Sequence, residues 1–287
     1  MIASTKPSLD RSRLIDWYRR NRERSAQLFA LIDDSAYESR PIPLRHPFVF
    51  YEGHLPAFSF LTLNERALGE TPVDPQLEKL FERGIDPASL EAAQRLTRES
   101  WPAREAVERF GRDCDERVEA ALANAKLIDP SNPRLVRGQS VYTILEHEQM
   151  HHETLMYIVH QLDDSLKGRI AQAHHDHAIE RNPMRSVNDG IATLGADRDE
   201  IPFGWDNEFG RSEIPVRALH MQQFPVTNGE WLAFVADGGP VPEFWSKRDG
   251  EYFLRGVFEE LPFPVDASAL GFLGTVSSYL SSSSHNL

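Results

Sequence analysis

The sequence predicts a chain of two parts, an N-terminal four-helix bundle followed by an irregular α+β unit. Two observations predict it. Up to about residue 170, apolar residues recur three and four positions apart in four stretches, with proline breaks and no strand alternation between them. After about Ala171 that period is lost. Gly190, Gly195, Gly204, Gly210, Gly229 and the Gly238-Gly239 pair then punctuate short apolar runs such as Ile191 to Leu194. The 287 residues suffice for one large domain or two modest ones. The expected divisions are a bundle over 9–170, a linker over 171–184, a second domain over 185–266 and a tail over 267–287.

The first helix is expected over 9–32. Ser8 can cap it, and Leu14, Ile15, Tyr18, Leu28, Phe29 and Ile32 form its apolar stripe. Pro41, Pro43 and Pro47 make a loop. A second helix is expected from about Leu55 to Leu68, with Pro56 in its first turn and Gly69 at its end. His54 then stands at its start, beside Val49-Phe50-Tyr51. The stretch from Pro75 to Thr97 is mixed, with Leu77, Leu80 and Phe81 as packing residues. Pro102 suits the first turn of a third helix whose buried face carries Val107, Phe110, Cys114, Val118, Ala121 and Leu122. After Pro130 and Pro133, a fourth helix is expected over 135–166, with Val141, Ile144, Leu145, Leu155, Ile158, Val159 and Leu162 on its apolar face. In the second part, Thr227 or Asn228 can cap a short helix over Trp231-Leu232-Ala233-Phe234-Val235. His174, His175 and His177 lie in the polar linker. The tail is rich in serine and carries no Asp, Glu, Lys or Arg after Asp266.

Composition narrows the function classes. A net charge of -13 opposes binding to nucleic-acid phosphates or anionic membranes, and no zinc-finger spacing is present. Cys114 is the sole cysteine, so no disulfide forms within the chain. Its acidic neighbours would raise its pKa, which disfavours a nucleophile. Met1 to Pro7 lacks the apolar core of a signal peptide, and no apolar run is long enough for a transmembrane helix. These features lead us to expect a soluble, cytoplasmic protein.

The chemistry concentrates in His147-Glu148-Gln149-Met150-His151. Two histidines four apart on a helix stack on one face, the spacing by which one helix gives two imidazoles to one metal. The same spacing also occurs on solvated helices. A third ligand has to come from another helix, and the bundle offers His54. Glu148 and His152 fall on other faces. Glu153 is either a carboxylate that orients a neighbouring group or a surface charge. The five residues also spell H-E-x-x-H, in which Glu148 would serve a zinc hydrolase as general base. Against that reading, Thr154 stands where one continuation of the motif needs glycine, Glu180 lies in the His-rich linker, and no strand pattern precedes the helix. A third reading is a non-catalytic metal-binding remnant.

His147-x3-His151-x-Glu153 resembles the H-x3-H-x-E signature of the sulfoxide synthases of ergothioneine biosynthesis. That family joins a DinB-like four-helix bundle to a domain like the formylglycine-generating enzyme, or sulfatase-modifying factor, with a C-type-lectin-like fold. Pro202-Phe203-Gly204-Trp205-Asp206-Asn207-Glu208 and Phe224-Pro225-Val226-Thr227-Asn228-Gly229-Glu230-Trp231, with Asp237-Gly238-Gly239, resemble the opening of that second domain. The resemblance spans about 10–266. It implies Fe(II) held by His54, His147 and His151, activation of O2, and joining of a cysteine-type thiol such as γ-glutamylcysteine to the imidazole C2 of trimethylhistidine as a sulfoxide. It further implies bundle arginines that bind the thiol's carboxylates, for which Arg95 and Arg98 are the candidates. The family's R-L-P-T-E-x-E-W-E-like segment and its proton-donating tyrosine are not found here. The expectation is therefore a truncated relative that keeps the iron ligands and lacks part of the catalytic half.

Overall fold

A computed structural model describes residues 9–82, 101–168 and 182–262. It divides into two compact units, one up to Gly168 and one from Arg169.

The first unit is helical. Helix α1 spans Arg11–Phe29 and is capped by Asp10, whose side chain accepts the Arg13 amide at 3.2 Å. The expected cap, Ser8, lies outside the described residues. Leu14, Tyr18, Asn21, Ser25, Leu28 and Phe29 form its buried face, so the stripe holds two polar residues in its middle. Helix α2 spans Phe48–Phe60. It begins seven residues earlier than Leu55, directly after Pro47, whose extended backbone (ψ 165°) starts it. Nearly every residue of α2 is buried, including the run Phe48 to Tyr51. A helix apolar on all sides has no stripe to betray its period, and that is why its first two turns read as a loop. Pro56 consequently sits in the interior, not in the first turn, where its ring cannot donate to the Glu52 carbonyl. His54 stands mid-helix. The chain continues through a π-helical turn, Leu61–Glu65, and ends at Gly69, whose φ of +76° is left-handed.

Helix α3, Pro75–Phe81, is a short element with Asp74 accepting the amides of Gln76 and Leu77. Its Phe81 is fully buried, while Leu77 and Leu80 are half-buried. Helix α4 spans Arg104–Asn124, with Pro102 just ahead of its first turn and the six expected face residues buried. Arg11 ties α1 to the end of α4 by donating to the carbonyls of Leu122 and Ala125, both at 2.6 Å. Helix α5 spans Gln139–Gln161. It is shorter than 135–166 because Arg137 (φ 55°) and Gly138 (φ 77°) are left-handed before it and Leu162 is extended after it. Helix α2 packs most extensively on α4, and α1 lies against α4 and α5. These four long helices make the bundle.

Among its described residues, the second unit carries three small antiparallel sheets. Strands β1 (Met184–Val187) and β4 (Leu219–Gln222) pair with Met184 opposite Gln222. Strands β2 (Gly190–Leu194) and β3 (Ser212–Val216) pair with Ala192 opposite Ile214. Strands β5 (Trp245–Arg248), β6 (Glu251–Arg255) and β7 (Glu260–Pro262) form a meander. Helix α6, Asn228–Ala236, starts on a capping box in which Thr227 and Glu230 exchange hydrogen bonds with each other's backbone amides. Its apolar burial is slight. Val235, Trp245 and Val257 are buried, whereas Ile191 is 62% and Leu194 52% exposed. Among the described residues no helix is long and apolar enough to cross a membrane. The expected linker and tail fall mostly on residues outside the description.

Candidate metal centre

The H-x3-H spacing on α5 stacks His147 and His151 one turn apart on its buried face. Their Nε2 atoms lie 3.2 Å apart. Helix α2 brings His54 to the same point, its ring centroid 5.2 Å from each of the other two. One nitrogen from each of the three falls within 4.8 Å of the others, and all three side chains are buried.

The ring orientations follow from the neighbours. His54 Nδ1 lies 2.7 Å from the Phe81 carbonyl oxygen. That oxygen only accepts, so Nδ1 carries the proton and Nε2 keeps its lone pair. Among the described residues, the buried His54 Nε2 has no hydrogen-bond partner, nor do the Nδ1 atoms of His147 and His151. Phe58 stacks on His147 at 3.4 Å, and Phe50 stacks on His54 at 4.9 Å. Tyr51 borders His151, with centroids 5.6 Å apart. Burial is the main cause that lowers all three pKa values, to about 4 for His54, to about 3 for His151 and well below the usual value for His147. Repulsion from the neighbouring cluster imidazoles adds to it for His147 and His151, and repulsion from His46 adds to it for His54, where the Phe81 carbonyl pulls the other way. All three are therefore neutral at pH 7, the state a metal ligand requires.

This arrangement suits a divalent transition metal. Two imidazole nitrogens each about 2.1 Å from one ion stand roughly 3 Å apart, close to the separation found between His147 and His151. Three nitrogen donors leave coordination positions open. Without an ion, a lone pair on His54 Nε2 is buried with nothing to meet it, a state that costs free energy.

Glu148 occupies a neighbouring face of α5, against α1. Its Oε1 accepts from Arg22 Nη1 at 2.8 Å and from Ser25 Oγ at 2.6 Å. Arg22 Nε also donates to Asp115 at 3.0 Å, and the Tyr18 hydroxyl donates to Asp115 at 2.6 Å. Ser25 Oγ gives its one proton to Glu148, so the contact at 2.9 Å to His152 Nε2 has the imidazole as donor. Burial pulls Arg22 down, but Asp115 and Glu148 outweigh it and raise its pKa well above the usual value. Burial also raises the pKa of Glu148, against the pull of Arg22 and Ser25. Sequence reasoning missed this chain of contacts. Its available signal was Asn21 and Ser25 interrupting the apolar stripe of α1. Glu153 is exposed on α5, and among the described residues it has no hydrogen bond to a cluster histidine. Arg95 and Arg98 lie outside the described residues.

Comparison with known proteins agrees with this architecture. Residues 18–155 match the model of the DinB superfamily. The chain is 28% identical to "Ergothioneine biosynthesis protein 1" of Neurospora crassa, over 76% of this chain and 27% of that protein. It is 25% identical to the protein of the same name from Schizosaccharomyces pombe, over 77% of this chain and 33% of the relative. It is also 25% identical to "Hercynine oxygenase" of Mycolicibacterium smegmatis, over 79% of this chain and 51% of the relative. The chain thus spans between about a quarter and a half of the length of these curated relatives. The bundle that carries the three clustered histidines thus matches the DinB superfamily, and about three quarters of the chain resembles the ergothioneine biosynthesis proteins and hercynine oxygenases.

Proposed function

We propose that the chain is a non-haem Fe(II)- and O2-dependent sulfoxide synthase of ergothioneine biosynthesis, joining a cysteine-type thiol such as γ-glutamylcysteine to the imidazole C2 of trimethylhistidine. The observation that carries this reading is the meeting of three buried, neutral imidazoles at one point, with His54 Nε2 unpartnered there. His54, His147 and His151 would hold the iron, which when bound supplies the activation of O2 for C–S bond formation. The chain's own part is to keep these nitrogens deprotonated, dry and fixed. Phe58 and Phe50 stack on two of the rings and limit their rotation, and burial keeps the proton off all three. The relatives named for ergothioneine and hercynine support the choice of pathway and of a trimethylhistidine acceptor.

Further assignments belong to the same proposal. Arg95 and Arg98 would bind the thiol's carboxylates through the forked donors of guanidinium. Glu153 would orient a neighbouring group. The unit over 185–266 would be part of a formylglycine-generating-enzyme-like domain of C-type-lectin type, joined to the bundle over 9–170 by the stretch 171–184. A zinc hydrolase reading needs Glu148 free to act on a metal-bound water. Its engagement by Arg22 and Ser25, on the side of α5 that faces α1, argues against that role.

The purified chain should take up about one Fe(II) per molecule, and His147→Ala and His151→Ala should each abolish uptake. Undiminished uptake in both variants would sink the proposal. Oxygen-dependent loss of trimethylhistidine with γ-glutamylcysteine tests the reaction separately. Metal uptake without oxygen consumption would favour the non-catalytic remnant.

A further inference from the structure

The third ligand depends on an element with no ligand of its own. Helix α3 is held by Asp74 at its start and by Glu78, whose Oε1 accepts the amides of Val73 at 2.7 Å and Asp74 at 3.3 Å. Its last residue, Phe81, is fully buried, with its ring 5.9 Å from that of Phe110 and 6.4 Å from that of Phe50. The Phe81 ring lies directly over the backbone of α2 at Gly53, where a Cβ would stand 2.4–2.5 Å from three of its carbons. The ring is hemmed in by Phe50 and Phe110, so it cannot simply swing aside. Any side chain at Gly53 pushes Phe81, and with it the carbonyl that receives His54 Nδ1–H.

We propose that α3 is the seat of the third imidazole: the backbone carbonyl of Phe81, admitted to its place by the bare backbone at Gly53, fixes His54 in the Nδ1–H tautomer and turns Nε2 toward His147 and His151. Phe81 and Gly53 are then positioning residues, acting through His54. This rests on the metal-centre reading above. Hydrogen bonds to the far nitrogen of a ligating histidine set its tautomer and raise its basicity, and their loss typically weakens metal affinity about 10- to 100-fold.

The test uses the full chain, with Co(II) as a spectroscopic probe and nitrogen-15 NMR of the metal-free protein. His54 in the wild type should carry its proton on Nδ1. Gly53→Ala should weaken Co(II) binding about 10- to 100-fold and disturb the His54 tautomer signal. Phe81→Leu keeps the carbonyl and should change affinity only a few-fold. The double variant Gly53→Ala/Phe81→Leu relieves the clash and should restore both binding and tautomer, a rescue that a general loss of packing does not give. Gly53→Ala binding cobalt as tightly as the wild type, or a wild-type His54 protonated on Nε2, would overturn the proposal. If Gly53→Ala does not fold, the wild-type tautomer and the double variant decide it. A wild-type chain that takes up no cobalt overturns the metal centre itself, and this role for α3 with it.

Discussion

Arg22 stands between two carboxylates, Asp115 on α4 and Glu148 on α5, and Glu148 is almost completely buried. Removing one partner of such a pair strands the other charge away from water. Arg22→Met should therefore destabilise the bundle by about 3–5 kcal/mol, measured by urea unfolding. Glu148→Gln leaves Arg22 its Asp115 and should cost less, roughly 1–3 kcal/mol, with iron uptake intact. The buried histidines give a second expectation at this scale. The folded pKa values of about 4 for His54 and His152 and about 3 for His151 lie below the ordinary 6.5. Between pH 6.5 and about 4, the unfolded chain thus binds protons that the folded chain refuses. Stability of the metal-free protein should fall as the pH drops through that window. Unfolding midpoints that do not change between pH 7 and 4.5 would contradict this.

At the scale of the element, the metal helix owes its position to its two ends. Gly138 is left-handed immediately before α5, and a Cβ there would meet Leu9 at 3.0 Å. Gly138→Ala should cost about 1–2 kcal/mol by forcing an L-residue into that region, and a lowered melting temperature is the check. The α5 period was legible in the sequence because its apolar residues share it with charged ones, so the stripe stands out. Helix α2 was not legible over its first two turns. It is apolar on every side, and a uniform run cannot report a phase. The sequence therefore placed His54 at a helix start, whereas burial of α2 puts it mid-helix. The capping of α6 by Thr227 was readable, since a Thr-x-x-Glu box is a local signal.

For the whole molecule, the two units differ in how much apolar surface they bury. The bundle has a continuous aromatic and aliphatic core, while the described part of the second unit buries few apolar side chains. Calorimetry of the full chain should show the second unit melting at lower temperature, with Fe(II) raising only the transition of the bundle. At a free metal concentration 100 times Kd the shift corresponds to about 2.7 kcal/mol. A metal that stabilised both transitions equally would refute this. The sequence by itself determined that there are four long helices, though not where α2 begins, the change of character after the bundle, and the pairing of His147 with His151, because each is written in local spacing. Only the tertiary structure decided that His54 turns its free nitrogen to that pair, that Phe81 supplies the carbonyl that orients it, and that Glu148 serves the contact with α1. Those contacts join residues 27 to 126 positions apart, and no local period encodes which distant backbone or side chain a buried group will meet.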